Sequence, residues 1–179
     1  MRSRNERSRR SRSFPLELLE GRSLLSSMIP AVNPPAAVES RHCQVPFKAV
    51  ATGMDTGVTP ITGGVASSFT ATGEAPHFGR FTVVASDHDI FTSPTTFMIE
   101  GGVGTITLAD GDQIDITYQG TGTVTGSILT TDCDITVTGG TGRFQGATGS
   151  LVSDHGVTNV TTGAVTIPIE GDITLPGHK

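Results

Sequence analysis

Between Val45 and Glu170 no window of the chain repeats its apolar residues with a helical period. Apolar and polar side chains alternate instead, in short runs set off by glycine. Ile114, Ile116 and Tyr118 oppose Gln113, Asp115 and Thr117, and Val165, Ile167 and Ile169 oppose Thr166, Pro168 and Glu170. A period of two marks a strand with one buried face, and the Thr and β-branched content favours the same state. The pattern predicts strands near Val45–Ala51, Val65–Thr72, Gly79–Ala85, Thr95–Glu100, Val103–Leu108, Gln113–Tyr118, Thr121–Leu129, Asp134–Thr138, Gly149–Ser153 and Thr162–Glu170. Turns are expected at Gly101-Gly102, Asp110-Gly111, Gly120 and Gly139-Gly140, with Asp110-Gly111 the best hairpin signal. Antiparallel strands wet on one face fit an all-β fold: a small closed barrel of about 8 strands, or a sandwich. Closure removes the edges that so many Thr-rich strands would leave open. Pro168 lacks a backbone donor, which makes the last strand an edge or a closing strand.

The stretch Asp134–Ser150 reads as a strand, a glycine-rich corner and the start of another strand, with Phe144 as the one large apolar anchor in the corner. Its glycines do not make a nucleotide site. A phosphate-binding P-loop needs Lys followed by Ser or Thr after its last glycine, and here Gly142 precedes Arg143 and Phe144. A dinucleotide fingerprint would need glycine at position 145, which is Gln145, and a helix after it.

Thr138-Gly-Gly-Thr-Gly-Arg-Phe-Gln-Gly-Ala-Thr-Gly149 resembles the glycine corner of the allene oxide cyclase and dirigent-protein barrels and of their uncharacterised bacterial relatives. His77–Thr82 and Ala109–Asp112 are similar to stretches that recur in those bacterial proteins. The resemblance covers Val45 to Asp172 in layout, and only the corner is specific. It implies a calycin-like closed barrel, self-association as dimers or trimers, and a hydrophobic small molecule held in the barrel. The corner is a barrel-building element, so it transfers fold far better than activity. None of the plant cyclase's catalytic residues aligns onto a position here.

At 179 residues the chain has room for one domain with a real core. Its charge divides it. Met1–His42 carries eight Arg against four Glu, whereas Cys43–Lys179 carries four basic residues against thirteen acids. An acidic body argues against nucleic acid as a partner, because phosphate neutralisation needs clustered Lys and Arg. Residues 1–42 form a basic tail. Its Arg/Ser-rich start has nothing to bury and is expected to be disordered. Phe14–Met28 reads as a short amphipathic helix, and Ile29–Ser40, with Pro30, Pro34 and Pro35, as a linker. Glu17, Glu20 and Arg22 break the apolar run that a secretory signal or a membrane-spanning helix needs, so no transmembrane segment is expected. Leu19-Glu-Gly-Arg-Ser-Leu-Leu-Ser26 resembles the LEPR-XLL motif of bacterial envelope and exported proteins, with Gly21 where that motif has Pro. The resemblance implies an exported or cell-envelope protein; the alternative is a frayed helix on a cytoplasmic one. Residues 43–179 form the barrel domain. Cys43 and Cys133 allow one disulfide or two free thiols.

Few residues in the body can do chemistry, and no catalytic set emerges from their spacing. Tyr118 shares parity with Ile114 and Ile116, so its ring is expected to face inward, as a ligand-binding hydroxyl or a core Tyr. Glu100 shares parity with Met98; it is either a half-buried base or a solvated strand end. Arg80 and Arg143, the body's two arginines, could clamp a carboxylate or bridge to a nearby Asp. These four are the candidate cavity residues. Asp87-His88-Asp89 resembles a metal cluster on paper, but adjacent strand residues point to opposite faces and no further ligands follow at a useful spacing. No metal or cofactor is expected. The sequence therefore favours a binding or structural barrel for a small hydrophobic ligand, with an isomerase or cyclase of the resembled kind as the alternative.

Overall fold

The computed structural model describes residues 43–177. The expectations for the tail, including its Leu19–Ser26 motif and its disorder, lie outside the described residues. Eight strands follow one another: β1 Cys43–Ile61, β2 Gly64–Ala75, β3 Gly79–Ser93, β4 Thr96–Leu108, β5 Gln113–Thr125, β6 Ile128–Gly140, β7 Thr148–Asn159 and β8 Ala164–Leu175. Each pairs antiparallel with the next, and β8 returns to β1 to close a barrel. Of the two architectures open to the sequence, the barrel is the one adopted. A meander of this kind needs only short turns, and closure leaves no unpaired edge.

The strands run longer than the sequence predicts, and in β4 and β5 the reason lies in their glycines. Thr95–Glu100 and Val103–Leu108 are one strand, β4, and the expected turn at Gly101-Gly102 is a bulge within it. Gln113–Tyr118 likewise continues through Gly120 as β5. A strand glycine marks a bulge or a close approach as often as a turn. Asp110-Gly111 does form the β4–β5 turn, closed by the Leu108 N–H donating to the Asp112 carbonyl at 2.9 Å. Gly139 and Gly140 are the last residues of β6, and the corner itself is a short 3-10 turn, Gly142–Phe144.

Pro168 sits in the closing strand, opposite a break in the β7–β8 ladder. Register is lost between Val152 and Val157, where β7 carries one more residue than β8. His155 takes a positive φ of 57° there, and its N–H donates to Asp132 on β6 at 2.8 Å. A residue without an N–H is well placed where the neighbouring strand has bulged away.

Because a meander's alternate connections fall at the same end, the β2–β3 turn and the β6–β7 corner meet. They bring Phe78 and Phe144 together in a stack at 6.0 Å between ring centroids. Phe78 also packs on Phe47 at 5.0 Å, and Phe47 on Phe81 at 5.5 Å. These rings, with Ile106, Ile114, Leu151 and Ile173, plug that end of the barrel. Gly142, at a φ of 55°, lets the corner turn tightly beside Asp112, whose carboxylate accepts from the Arg143 backbone N–H at 3.2 Å. Phe144 is fully buried. Phe144→Ala therefore costs about 3–5 kcal/mol in chemical denaturation, whereas Val84→Ala, on the wet outer face, stays within about 0.5 kcal/mol.

Candidate functional site

The other half of the barrel is not filled. A cavity of about 590 Å³ occupies it, walled largely by Val, Ile, Leu and Phe side chains such as Phe69, Phe97, Leu129, Val165 and Ile167. It extends to the end carrying the β1–β2, β3–β4, β5–β6 and β7–β8 turns, where Val58, Pro94, Val124 and Val160 line it. Val58 and Val160 are more than half exposed, so the mouth is apolar and reaches solvent.

Into this apolar wall the strands insert one polar cluster. On β3 the inward parity set by Phe81, Val83 and Ala85 continues through Asp87 and Asp89, while Ser86 and His88 face outward. β1 contributes Asp55, β2 Ser67, β5 Tyr118, β6 Cys133 and β7 Ser153. Asp87 is the hub. One of its oxygens accepts from the Ser67 hydroxyl and the other from the Tyr118 hydroxyl at 2.8 Å. Accepting at both oxygens is the pattern of an ionised carboxylate.

Tyr118 and Asp87 are not on neighbouring strands: β4 lies between them. Gly102 makes the reach possible. It pairs with Tyr118, and a Cβ there would lie 2.6 Å from the Tyr118 ring. The missing side chain lets the ring lie over β4 and place its hydroxyl on β3. The bulge at Gly101, with a φ of 63°, falls beside the same spot in both ladders that flank β4. Bulges recur next to sites because they re-aim side chains.

The electrostatics follow from burial and from Asp87. Asp89 is only 9% exposed, and its carboxyl is pushed up to about 7, first by burial and then by the charges of Asp87 and Asp55. Asp55 is also raised, by burial and by Asp87. Burial, the Asp87 charge and the hydrogen bond to it hold the Tyr118 phenol well above its ordinary range, so the hydroxyl stays a neutral donor. The Cys133 thiol is raised to about 12, by burial first and then by Asp87, Asp132, Asp89 and Asp134. A thiol in that state is not a nucleophile. Cys43 and Cys133 are both free.

The four candidate residues are distributed as follows. Tyr118 lines the cavity. Glu100 is exposed on the outer wall, opposite His88. Arg80 is exposed and lies with Glu74 in a separate shallow depression formed by β2, β3 and β4. Arg143 sits at the plugged end, 3.6 Å from Asp110 and 3.8 Å from Asp112, with its guanidinium 5.0 Å from the Phe144 ring centroid. The structure thus gathers Tyr118 with Asp55, Asp87, Asp89, Ser67 and Ser153. The sequence reading set Asp87 and Asp89 aside with His88, although their spacing of two was the signal that both face the same way. Among the described residues no three His, Cys, Asp or Glu side chains converge closely enough to hold a metal ion. The chain matches no protein-family model, no curated protein and no solved structure.

A carboxyl whose pKa is higher folded than unfolded binds its proton more tightly in the folded state. The barrel therefore gains stability from Asp89 as pH falls from about 7 toward 3.8, and loses it as pH rises through that window. Asp89→Asn removes the cost of burying the charge. It is expected to stabilise the protein by about 1–2 kcal/mol at about pH 8, discounting the full displacement for water in the cavity, and to change little at about pH 4. Urea unfolding of both proteins across this range measures the effect.

Proposed function

We propose that this protein is a binding barrel that holds a small hydrophobic molecule in its interior. The observation that carries the reading is the division of the interior. One end is sealed by Phe47, Phe78, Phe81 and Phe144, while the other encloses an apolar cavity of about 590 Å³ with an open mouth. A barrel with a purely structural role would fill both halves, since an apolar void forfeits packing contacts. The volume lies within the range of small-molecule pockets, which pair apolar walls with a few placed polar groups. The near-LEPR-XLL segment Leu19–Ser26 supports an exported or cell-envelope location, and the glycine corner supports kinship with the allene oxide cyclase and dirigent-like barrels.

A second reading, an isomerase or cyclase acting on that molecule, is favoured by one observation. Asp89, poised to take or give a proton near pH 7, lines the same cavity as the Tyr118 donor. It adds a step to the binding reading and does not replace it.

The neutral fluorophore N-phenyl-1-naphthylamine tests the binding reading. Its emission should rise saturably with one molecule bound per barrel, and Ile167→Trp, which fills the cavity from β8, should abolish the rise while far-UV circular dichroism stays that of the parent. Failure of the dye to bind, or equal binding by the filled variant, would contradict the proposal.

A further inference from the structure

The geometry points to a lipophilic organic cation, a protonated alkylamine, as the molecule this cavity takes, with Asp55, Asp87 and Asp89 receiving its charged head and the apolar walls its tail. This rests on the binding reading above and names the ligand's chemistry. Among the described residues three acids line the cavity, and no Lys, Arg or His does. Buried carboxylates are ordinarily paired or fully hydrogen-bonded. Asp87 has its two hydroxyl donors. Among the described residues no cation lines the cavity beside Asp89 and Asp55; after burial, the charges of Asp87 and Asp55 oppose ionisation of Asp89, and that of Asp87 opposes ionisation of Asp55.

A second, independent feature lies in the same cavity. Ser153 is 3% exposed, lines the cavity from β7 and leaves its hydroxyl without a partner among the described residues. Buried side-chain oxygens are seldom left so. Ser153 stands opposite Cys133 in the β6–β7 ladder, just before the bulge that faces Pro168. The bulged strand therefore sets an unpartnered hydroxyl in the same cavity, on the wall across the barrel from β3, the strand of Asp87 and Asp89.

An alkylammonium meets each of these features. Its three N–H donors match several acceptors that do not share a single point. The acids are too dispersed to hold a metal ion together. A fatty acid would add a fourth negative charge, and a neutral alcohol would leave the acids uncompensated.

Of the titratable groups that line the cavity with Asp89, Asp87 is on the same strand, β3, while Asp55 on β1, Tyr118 on β5 and Cys133 on β6 come from other strands. Tyr118 and Cys133 stay protonated through neutral pH, so the carboxyls set the pH response. Amine binding should strengthen as pH rises through about 7 and Asp89 ionises, while an alkylamine itself stays charged to about pH 10.

The test is displacement of bound N-phenyl-1-naphthylamine from the full chain by decylamine, decanol and decanoate, each below its micelle concentration. Decylamine should compete at least about tenfold better than the other two at pH 8, and the advantage should shrink toward pH 5. Asp89→Asn, with its cooperative unfolding checked, should remove most of that advantage, and Asp55→Asn part of it. Glu100→Gln, on the outer wall, should keep it. Equal competition by the three compounds, or an amine preference that survives Asp89→Asn, overturns the inference while leaving the binding reading standing. If neither the dye nor any of the three compounds binds, the binding reading fails and takes this inference with it.

Discussion

The pairing of β8 on β1, unbroken from Cys43 opposite Leu175 to Met54 opposite Ala164, is the constraint on which everything else depends. An open meander of the same strands would expose two long Thr-rich edges and splay its inner face. Closed, it converts a period-two alternation into an inside and an outside. Each inward residue then faces others from across the barrel, not just its ladder neighbours. That is how residues from β1, β2, β3, β5, β6 and β7 come to share one small volume.

The interior is then divided by side-chain size. At the end of the β2–β3 and β6–β7 connections, four Phe rings and large aliphatic side chains pack to full burial. Toward the other end the strands offer Ser67, Ala85, Asp87 and Ser153 where bulkier residues would close the space. Holding Asp89 there, with Asp87 and Asp55 nearby, opposes folding at neutral pH. Strain of this kind, kept where a packed apolar core was available, is a mark of sites more than of scaffolds.

Much of the architecture was legible in the chain. The parity of Ile114, Ile116 and Tyr118 reads directly as an inward face, and Asp110-Gly111 reads as a hairpin turn. The strand count was blurred by Gly101, Gly102 and Gly120, because a glycine in sequence does not say whether it turns the chain, bulges it or makes room for a ring. At Gly102 the room is for Tyr118, three-dimensional information that no local window holds. The site was legible only in part. Asp87 and Asp89 extend the alternation of Phe81, Val83 and Ala85, yet buried acids contradict the rule that alternation marks apolar faces, so pattern reading passes over them. Arg143 fills a structural place among the acids of the β4–β5 turn, where ion pairs are commoner than ligand clamps.

The electrostatics of the cavity turn on the ionisation of one buried side chain. The most direct measurement is a carboxyl carbon NMR titration of Asp89 in the ligand-free protein, repeated in Asp87→Asn. The expected midpoint is near 7, and it moves down when the Asp87 charge is removed. A midpoint at the ordinary carboxylate value of 3.8, unmoved by Asp87→Asn, would contradict this reading of the cavity.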